Sequence, residues 1–321
     1  MRTYWLATAI LVLLLAASGL HAQQQFPAKP IRLIVPAPSG SVLDVVARSL
    51  AVNLTETFKQ SVVVDNRPGS SGSIATQIAV RANPDGYTVL LVPSTYAASA
   101  AFHELPYDSL SDVTPIALFG ESGFVVTLHP ALPVTSIKEL IAYDKANPGK
   151  LHYGAAGTGS GSHRAAELFN QMAGTKITNV PYKGVAPALN DLLGGQIQIF
   201  FGNLPTMIPQ IKSKRLRGIA VTTAKRSNAV PEIPTVGETV TGYEAVGWQG
   251  VLGPKALPRD IVTRWNDEIN RILQLSDVKE RLAADGIVSA GGSPERFHEF
   301  LKREIAKWQK VVKVAGIKPE S

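Results

Sequence analysis

What most constrains this chain is a rhythm. Short apolar runs that fit buried strands alternate with stretches whose apolar residues recur every three or four positions. IRLIV (31–35) stops at Pro36, and the following PSGSVLDVVARSLAVNLTETF puts Val45, Val46, Leu50 and Leu54 on one helical face. SVVVDN (61–66) ends in the turn-rich NRPGSSGS. A helix is then expected from Ile74 to Arg81, and NPDGYTVLLVPS brings a turn and a third strand. Strand–helix–strand–helix–strand is the pattern of a doubly wound α/β sheet with parallel strands.

The pattern restarts at FVVTLHP (124–130). A helix from Ser136 to Ala146, the strand LHYGA, a glycine-rich loop with its helix, and the strand ITNVPY follow. A helix through Leu189–Leu193, the strand QIQIFFG, a helix near Pro205–Ser213 and the strand RGIAVT complete this half. The last third returns to long helices. One carries Ile261, Val262, Trp265, Ile269 and Ile272 on a single stripe. Another opens with the cap-then-proline order of Ser293-Pro294-Glu295 and presents Phe297, Leu301, Ile305, Trp308 and Val312. Two α/β halves with a helical return imply a chain that crosses between lobes at least twice, with a ligand cleft between them.

The amino terminus reads as an export signal. Arg2 precedes an apolar stretch from Leu6 to Ala17, and small residues run to Ala22, where cleavage is expected. That stretch is shorter than the ~20 residues of a membrane-spanning helix. The chain has no cysteine, so neither a disulfide framework nor a lipid anchor on cysteine is available. A periplasmic, monomeric protein is expected. Its net charge of +7, or +6 once Arg2 is removed, suits a small anionic ligand. Nucleic acid is not expected as a partner: Lys and Arg are dispersed, and the densest run, Lys212 to Arg217, is short.

Catalytic signatures are missing. GTGSG puts glycine where the serine of a G-x-S-x-G elbow would stand, no phosphate-binding G-x-x-x-x-G-K-[ST] occurs, and Gly157-Thr158-Gly159 lacks the third glycine of a dinucleotide loop. The six histidines show no H-x-x-x-H spacing, so no metal or other cofactor is expected. What remains is a set of small-residue loops at strand ends: APSGSVLD (37–44), NRPGSSGSIA (66–75), PSTYAAS (93–99) and GAAGTGSGSH (154–163). Glycine lets backbone N–H groups turn toward one point, and a helix N-terminus adds unsatisfied donors with partial positive charge. In open α/β sheets the ligand crevice lies at the carboxyl ends of the strands. The glycine loop therefore suits a carboxylate.

Several longer stretches carry a family resemblance: DNRPGSSGSIA (65–75), ANPDGYTVLL (82–91), ELIAYDKANPGKLHYGAAGTGSGSHRAAELF (139–169), VPYKGVAPALNDLLGGQIQIFF (180–201), GYEAVGWQGVLGP (242–254) and GGSPERFHEFLKREIAKWQKVVKVAGIK (291–318). The chain resembles the substrate-binding receptors of tripartite tricarboxylate transporters, the Bug or TctC proteins, over nearly its whole length beyond the signal. The resemblance implies a type II periplasmic binding fold, with residues 23–124 plus 246–321 as one lobe and 125–245 as the other. Hinges are expected near Gly123–Val126 and Glu244–Trp248, where the chain passes between lobes, and the resemblance implies membrane permease subunits as partners. It places the ligand between Pro38-Ser39-Gly40-Ser41 and the loop Ala156, Gly157, Thr158, Gly159, Ser162 and His163. The Tyr182-Lys183-Gly184 turn and Asn203 stand at the cleft, and Ser94 and Thr95 are hydroxyl donors. Asp44 is expected to cap or order the first loop.

Two departures from the family pattern make the expected pocket less polar. Leu43 stands where a hydroxyl is usual, and Gly202 where many relatives carry an acid. A carboxylate with a substantial apolar body, such as an aromatic one, is expected over citrate or aspartate. Two other readings stay open at this level: a ligand sensor feeding a signalling partner, and a hydrolase using Ser160 or Ser162 with His163.

Overall fold

A single strand of 16 residues, Val113–Leu128, organises the molecule. The computed structural model describes residues 26–315 apart from Thr158 and Asp285, so the expected export signal lies outside the described residues. Before the long strand, β4, come β1 (Ile31–Val35), α1 (Val42–Phe58), β2 (Val62–Asn66), α2 (Ser73–Val80), β3 (Thr88–Pro93) and α3 (Thr95–Phe102). After it come α4 (Ile137–Ala146), β5 (His152–Ala155), α5 (Gly161–Ala173), β6 (Thr178–Pro181), α6 (Val185–Leu193), β7 (Ile199–Asn203), α7 (Leu204–Lys212) and β8 (Arg217–Val221). The chain closes with β9 (Val246–Pro254), α8 (Arg259–Ile272), α9 (Ser276–Ala284), β10 (Ile287–Ser289) and α10 (Pro294–Ala315).

From Val113 to Gly123, β4 pairs antiparallel with β9; from Phe124 to Leu128 it pairs with β7 and β8 instead. The first half of the molecule is thus the run β2-β1-β3-β9-β4, and the second is β4-β7-β5-β6, with β4 common to both. The chain returns across the same line at Val246, which is opposite Gly123. The strands of each βα unit are parallel as the rhythm predicts: β1 with β2 and β3, β5 with β6 and β7. β4 and β9 are antiparallel to their neighbours, so the sheet is mixed. Neither reads as a long strand in the sequence, because Pro115, Gly120 and Gly123 in one and four glycines in or beside the other look like turn signals. The structure absorbs them by register shifts between Pro115 and Ala117 and between Leu118 and Gly120.

Local chemistry fixes the helix starts. Ser41, Ser136 and Ser160 each accept the N–H three residues on, from Asp44, Glu139 and His163. Gly174 ends α5 in the left-handed conformation. The amphipathic faces then choose their partners. One face of β1 and β3 buries Leu33, Val89 and Leu91 under α1 and α8, where Val46, Leu50, Trp265 and Ile269 are buried. The stripe predicted on α8 is therefore core, and each such side chain contributes ~1.5–3 kcal/mol. The opposite face packs under α3, α5 and α10 in one cluster that runs through both halves, from Ala97 and Phe102 to Phe169 and Phe201.

Candidate functional site

The carboxyl ends of β1, β2, β3 and β5 open into one cleft of about 400 Å³. The first half supplies Pro36 and Pro38 after β1, Pro68, Gly69, Ser71 and Gly72 after β2, and Pro93 and Thr95 after β3. The second half supplies Ala156, Gly157, Gly159 and Ser160 after β5. The floor is apolar, with Val92, Tyr96, Ala98 and Phe102, while Thr76, Ser99, His103 and Tyr107 add polar atoms. No lysine, arginine, aspartate or glutamate lines the cleft among the described residues.

Donors come from backbone instead. The N-termini of α2, α3 and α5 all meet this cleft, through Gly72, Thr95 and Ser160. Neither α2 nor α3 has a side-chain cap; at α2 the Ser73 N–H turns back to the Ser70 carbonyl, and the N–H groups that follow it, with those opening α3, have no capping side chain. Three helix ends, each with roughly half a positive charge, make the cleft attractive to an anion without any cationic side chain.

The glycine loop is internally wired. Ala156 N–H donates to Ser162 Oγ at 2.9 Å, Gly159 N–H to His163 Nδ1 at 3.0 Å, and Ser160 N–H to the Gly157 carbonyl at 3.1 Å. Gly157 (φ +125°) and Gly159 (φ +69°) hold backbone conformations that a side chain disfavours. Among the described residues, Gly157 N–H donates to no protein acceptor, and the Ser160 hydroxyl lines the cleft. Burial depresses the His163 imidazole against the opposing Glu167 charge, with the Arg164 charge adding to the depression, and the ring's Nδ1 accepts from Gly159 N–H. The Ser160 and Ser162 hydroxyls lie 3.0 Å from each other, and no hydrogen bond between either hydroxyl and the His163 ring occurs among the described residues.

The sequence profile described as a tripartite tricarboxylate transporter family receptor matches residues 46–317. The chain belongs to that family. BugT of Bordetella pertussis is 35% identical over 319 residues, covering 97% of this chain and 97% of that protein. Among solved structures, the R. palustris protein Rpa4515 with adipate is 37% identical with a TM-score of 0.75, covering 92% of this chain and 100% of that one. The periplasmic binding protein BugD is 31% identical with a TM-score of 0.72, covering 92% and 100%. The fold is accordingly that of the periplasmic binding proteins, two α/β halves about an interlobe cleft, as the sequence implies.

Within this Bug/TctC receptor, the expected site residues divide by position. Pro38, Thr95, Ala156, Gly157 and Gly159 line the cleft. Thr158 is outside the described residues. Ser39, Gly40, Ser41 and Asp44 form the wiring behind Pro38. Asp44 Oδ2 accepts from Gly40 N–H and Arg48 Nε, both at 2.9 Å, and Oδ1 accepts from Asn66 Nδ2 at 2.9 Å. The Arg48 hydrogen bond, then that of Gly40, hold the Asp44 carboxyl at about 2. Ser41 Oγ caps Asp44 N–H. Ser94 is buried with its hydroxyl accepting from Arg164, and Ser162 and His163 are buried inside the glycine loop. Tyr182 sits beside Gly157, donating its hydroxyl to Asp191 at 2.7 Å, and burial raises that phenol to about 12. Lys183 is exposed, Gly184 begins α6, and Asn203 is exposed at the start of α7. A side chain at Gly202 would run into Met207 (2.5 Å), so this position backs onto packed core.

The loop after β2 is the largest addition. Pro68, Gly69, Ser71 and Gly72 wall the cleft, and Ser70 and Ser71 are both left-handed at φ 45° and 51°. Such conformations cost ~1–3 kcal/mol each and concentrate at functional segments. The signal was present, since NRPGSSGSIA is one of the four strand-end loops. His103 and Tyr107 had no such signal, because only the turn of chain after α3 carries them to the cleft, and Phe102 closes that helix.

Proposed function

We propose that this receptor captures a small organic acid in the cleft and delivers it to the membrane permease of a tripartite tricarboxylate-type transporter. The carboxylate sits between Gly157 and Ser160 of one half and the uncapped N-termini of α2 and α3 of the other. The acid's apolar body lies over Val92, Tyr96 and Phe102. The observation that carries this reading is a cleft with anion-seeking helix ends, an apolar floor and no charged side chain among its described lining residues. Citrate, with its central carboxylate and hydroxyl, and aspartate, with its ammonium group, would bring charge to the middle of the ligand, over a floor that leaves it unpaired. Adipate carries charge at its two ends only. A relative of the same family is known with the six-carbon diacid adipate.

Residues 23–124 with 246–321, and 125–245, move as the two lobes in this reading. The hinge lies where β4 exchanges β9 for β7 and β8 at Gly123–Phe124, and where the chain returns at Val246. Ligand contacts from both lobes favour closure, and several charge-assisted hydrogen bonds at ~1.5–3 kcal/mol each are of the size needed to shift an open population to a closed one. The family role and the Ser160–Ser162–His163 geometry support a receptor over a hydrolase.

Thermal-shift and calorimetric titrations with adipate, benzoate, citrate and aspartate test the reading. Adipate or benzoate is expected to stabilise the protein, by ~2.7 kcal/mol at 100 times its dissociation constant. Tight binding of citrate alone overturns the apolar-body assignment.

A further inference from the structure

Behind the cleft one side chain makes hydrogen bonds to both halves. Arg164 stands in the first turn of α5 and is 2% exposed. Its Nη1 donates to the Gly159 carbonyl at 2.7 Å, and its Nη2 donates to Ser94 Oγ at 2.8 Å. Gly159 belongs to the glycine loop of one half. Ser94 follows β3 in the other half and immediately precedes Thr95, which lines the cleft. The guanidinium lies 5.1 Å from the centre of the Trp308 ring on α10. Glu304, one turn back on α10, is buried and accepts from both Trp248 Nε1 and Trp308 Nε1 at 3.2 Å. Trp248 belongs to β9, close to the line where the chain returns between halves, so the contact reaches the hinge strand.

A guanidinium with no carboxylate in direct contact is a costly way to fill a core. Its burial lowers the Arg164 pKa to about 10 even with Glu304 opposing, and Nε has no partner among the described residues. A methionine would fill similar space without that cost. What arginine adds is a rigid fork that can hold two oxygens at a set separation. Here the two oxygens belong to different halves, and each sits in a segment that walls the cleft.

We propose that Arg164 is a positioning residue that latches the halves together. It fixes the Gly159 peptide and its distance from the start of α3, and so sets the arrangement in which the cleft exists. Its consequence for ligand affinity rests on the receptor reading above; the latch itself does not.

The full chain lacks cysteine, so a labelled pair can be introduced cleanly at Val52→Cys on α1 and Lys145→Cys on α4, both exposed positions. Spin-label distances are measured without any organic acid in the parent, Arg164→Met, Ser94→Ala and the double variant. Arg164→Met is expected to raise the ratio of long to short distances at least tenfold. Ser94→Ala should move it the same way by less, and the double variant should match Arg164→Met, because the shared bond is lost only once. If Arg164→Met does not fold, Arg164→Lys replaces it; that change keeps the charge but cannot bridge both oxygens, and the same direction is expected.

Unchanged distance distributions in folded variants overturn the proposal, since a side chain that merely fills the core would alter melting temperature without altering lobe separation. Calorimetry with adipate forms a second arm, with at least a tenfold affinity loss expected in Arg164→Met. Should the parent bind no acid at all, the receptor reading fails while the distances still decide the latch.

Discussion

Replacing Asp44 with asparagine isolates the electrostatics that shape the first loop. The carboxylate takes hydrogen bonds from Gly40, Arg48 and Asn66, and together they hold it at about 2 against an ordinary value of 3.8. A gap of nearly two pH units is equivalent to ~2.5 kcal/mol at ~1.4 kcal/mol per unit. That is an upper bound. The Asp44 side chain is 2% exposed, but it lies just beneath Arg48, which is 53% exposed, and solvent screening of that partner reduces the contribution to about 1–2 kcal/mol.

The sign follows from linkage. A carboxyl depressed in the folded state contributes fully above its unfolded value near 4, and the contribution is lost as pH falls toward the folded value near 2. Asp44→Asn lacks it at every pH. Urea unfolding followed by far-ultraviolet circular dichroism at pH 7, 5, 4 and 3 measures the difference between the two proteins. It is expected to stand near 1–2 kcal/mol at pH 7 and 5, and to shrink steadily below pH 4. Asp65, Asp108, Glu139 and Glu238 are also depressed, but they occur in both proteins and cancel. A difference that stays constant from pH 7 to pH 3, or none at pH 7, refutes the argument that the charge of Asp44 organises this loop.

Two further outcomes follow from the glycine loop. Gly161→Ala places a methyl group 2.3 Å from the Phe124 ring, at the point where β4 changes partners, and is expected to cost about 1–3 kcal/mol by overpacking; a melting temperature within a degree of the parent's would contradict that contact. His163, neutral and accepting from Gly159, should titrate below 6.5 by NMR, and stability should fall as pH drops below about 6.5, where the unfolded chain takes up its proton first. His163→Asn is expected to lose that part of the slope, and a ring titrating at or above 6.5 would show that the loop does not bury it.

The sequence alone determined the alternation of strands and helices, the helix caps, and the small-residue loops at strand ends. These are local: period, capping chemistry and backbone freedom are written in neighbouring residues, as in Ser41 with Asp44 or Ser160 with His163. Four cleft segments were legible for that reason. Tertiary structure decided the rest, because it depends on contacts between residues far apart in the chain. It made one bulged strand of VTPIALFGESGFVVTL, whose proline and glycines look like breaks until β9, β7 and β8 pair against them. It spent the amides of Ala156 and Gly159 inside their own loop and left α2 and α3 uncapped at the cleft. It also brought Arg164 to Ser94 across 70 residues of chain, a bond that no local pattern announces, because only the packing of α3, α5 and α10 brings the two together.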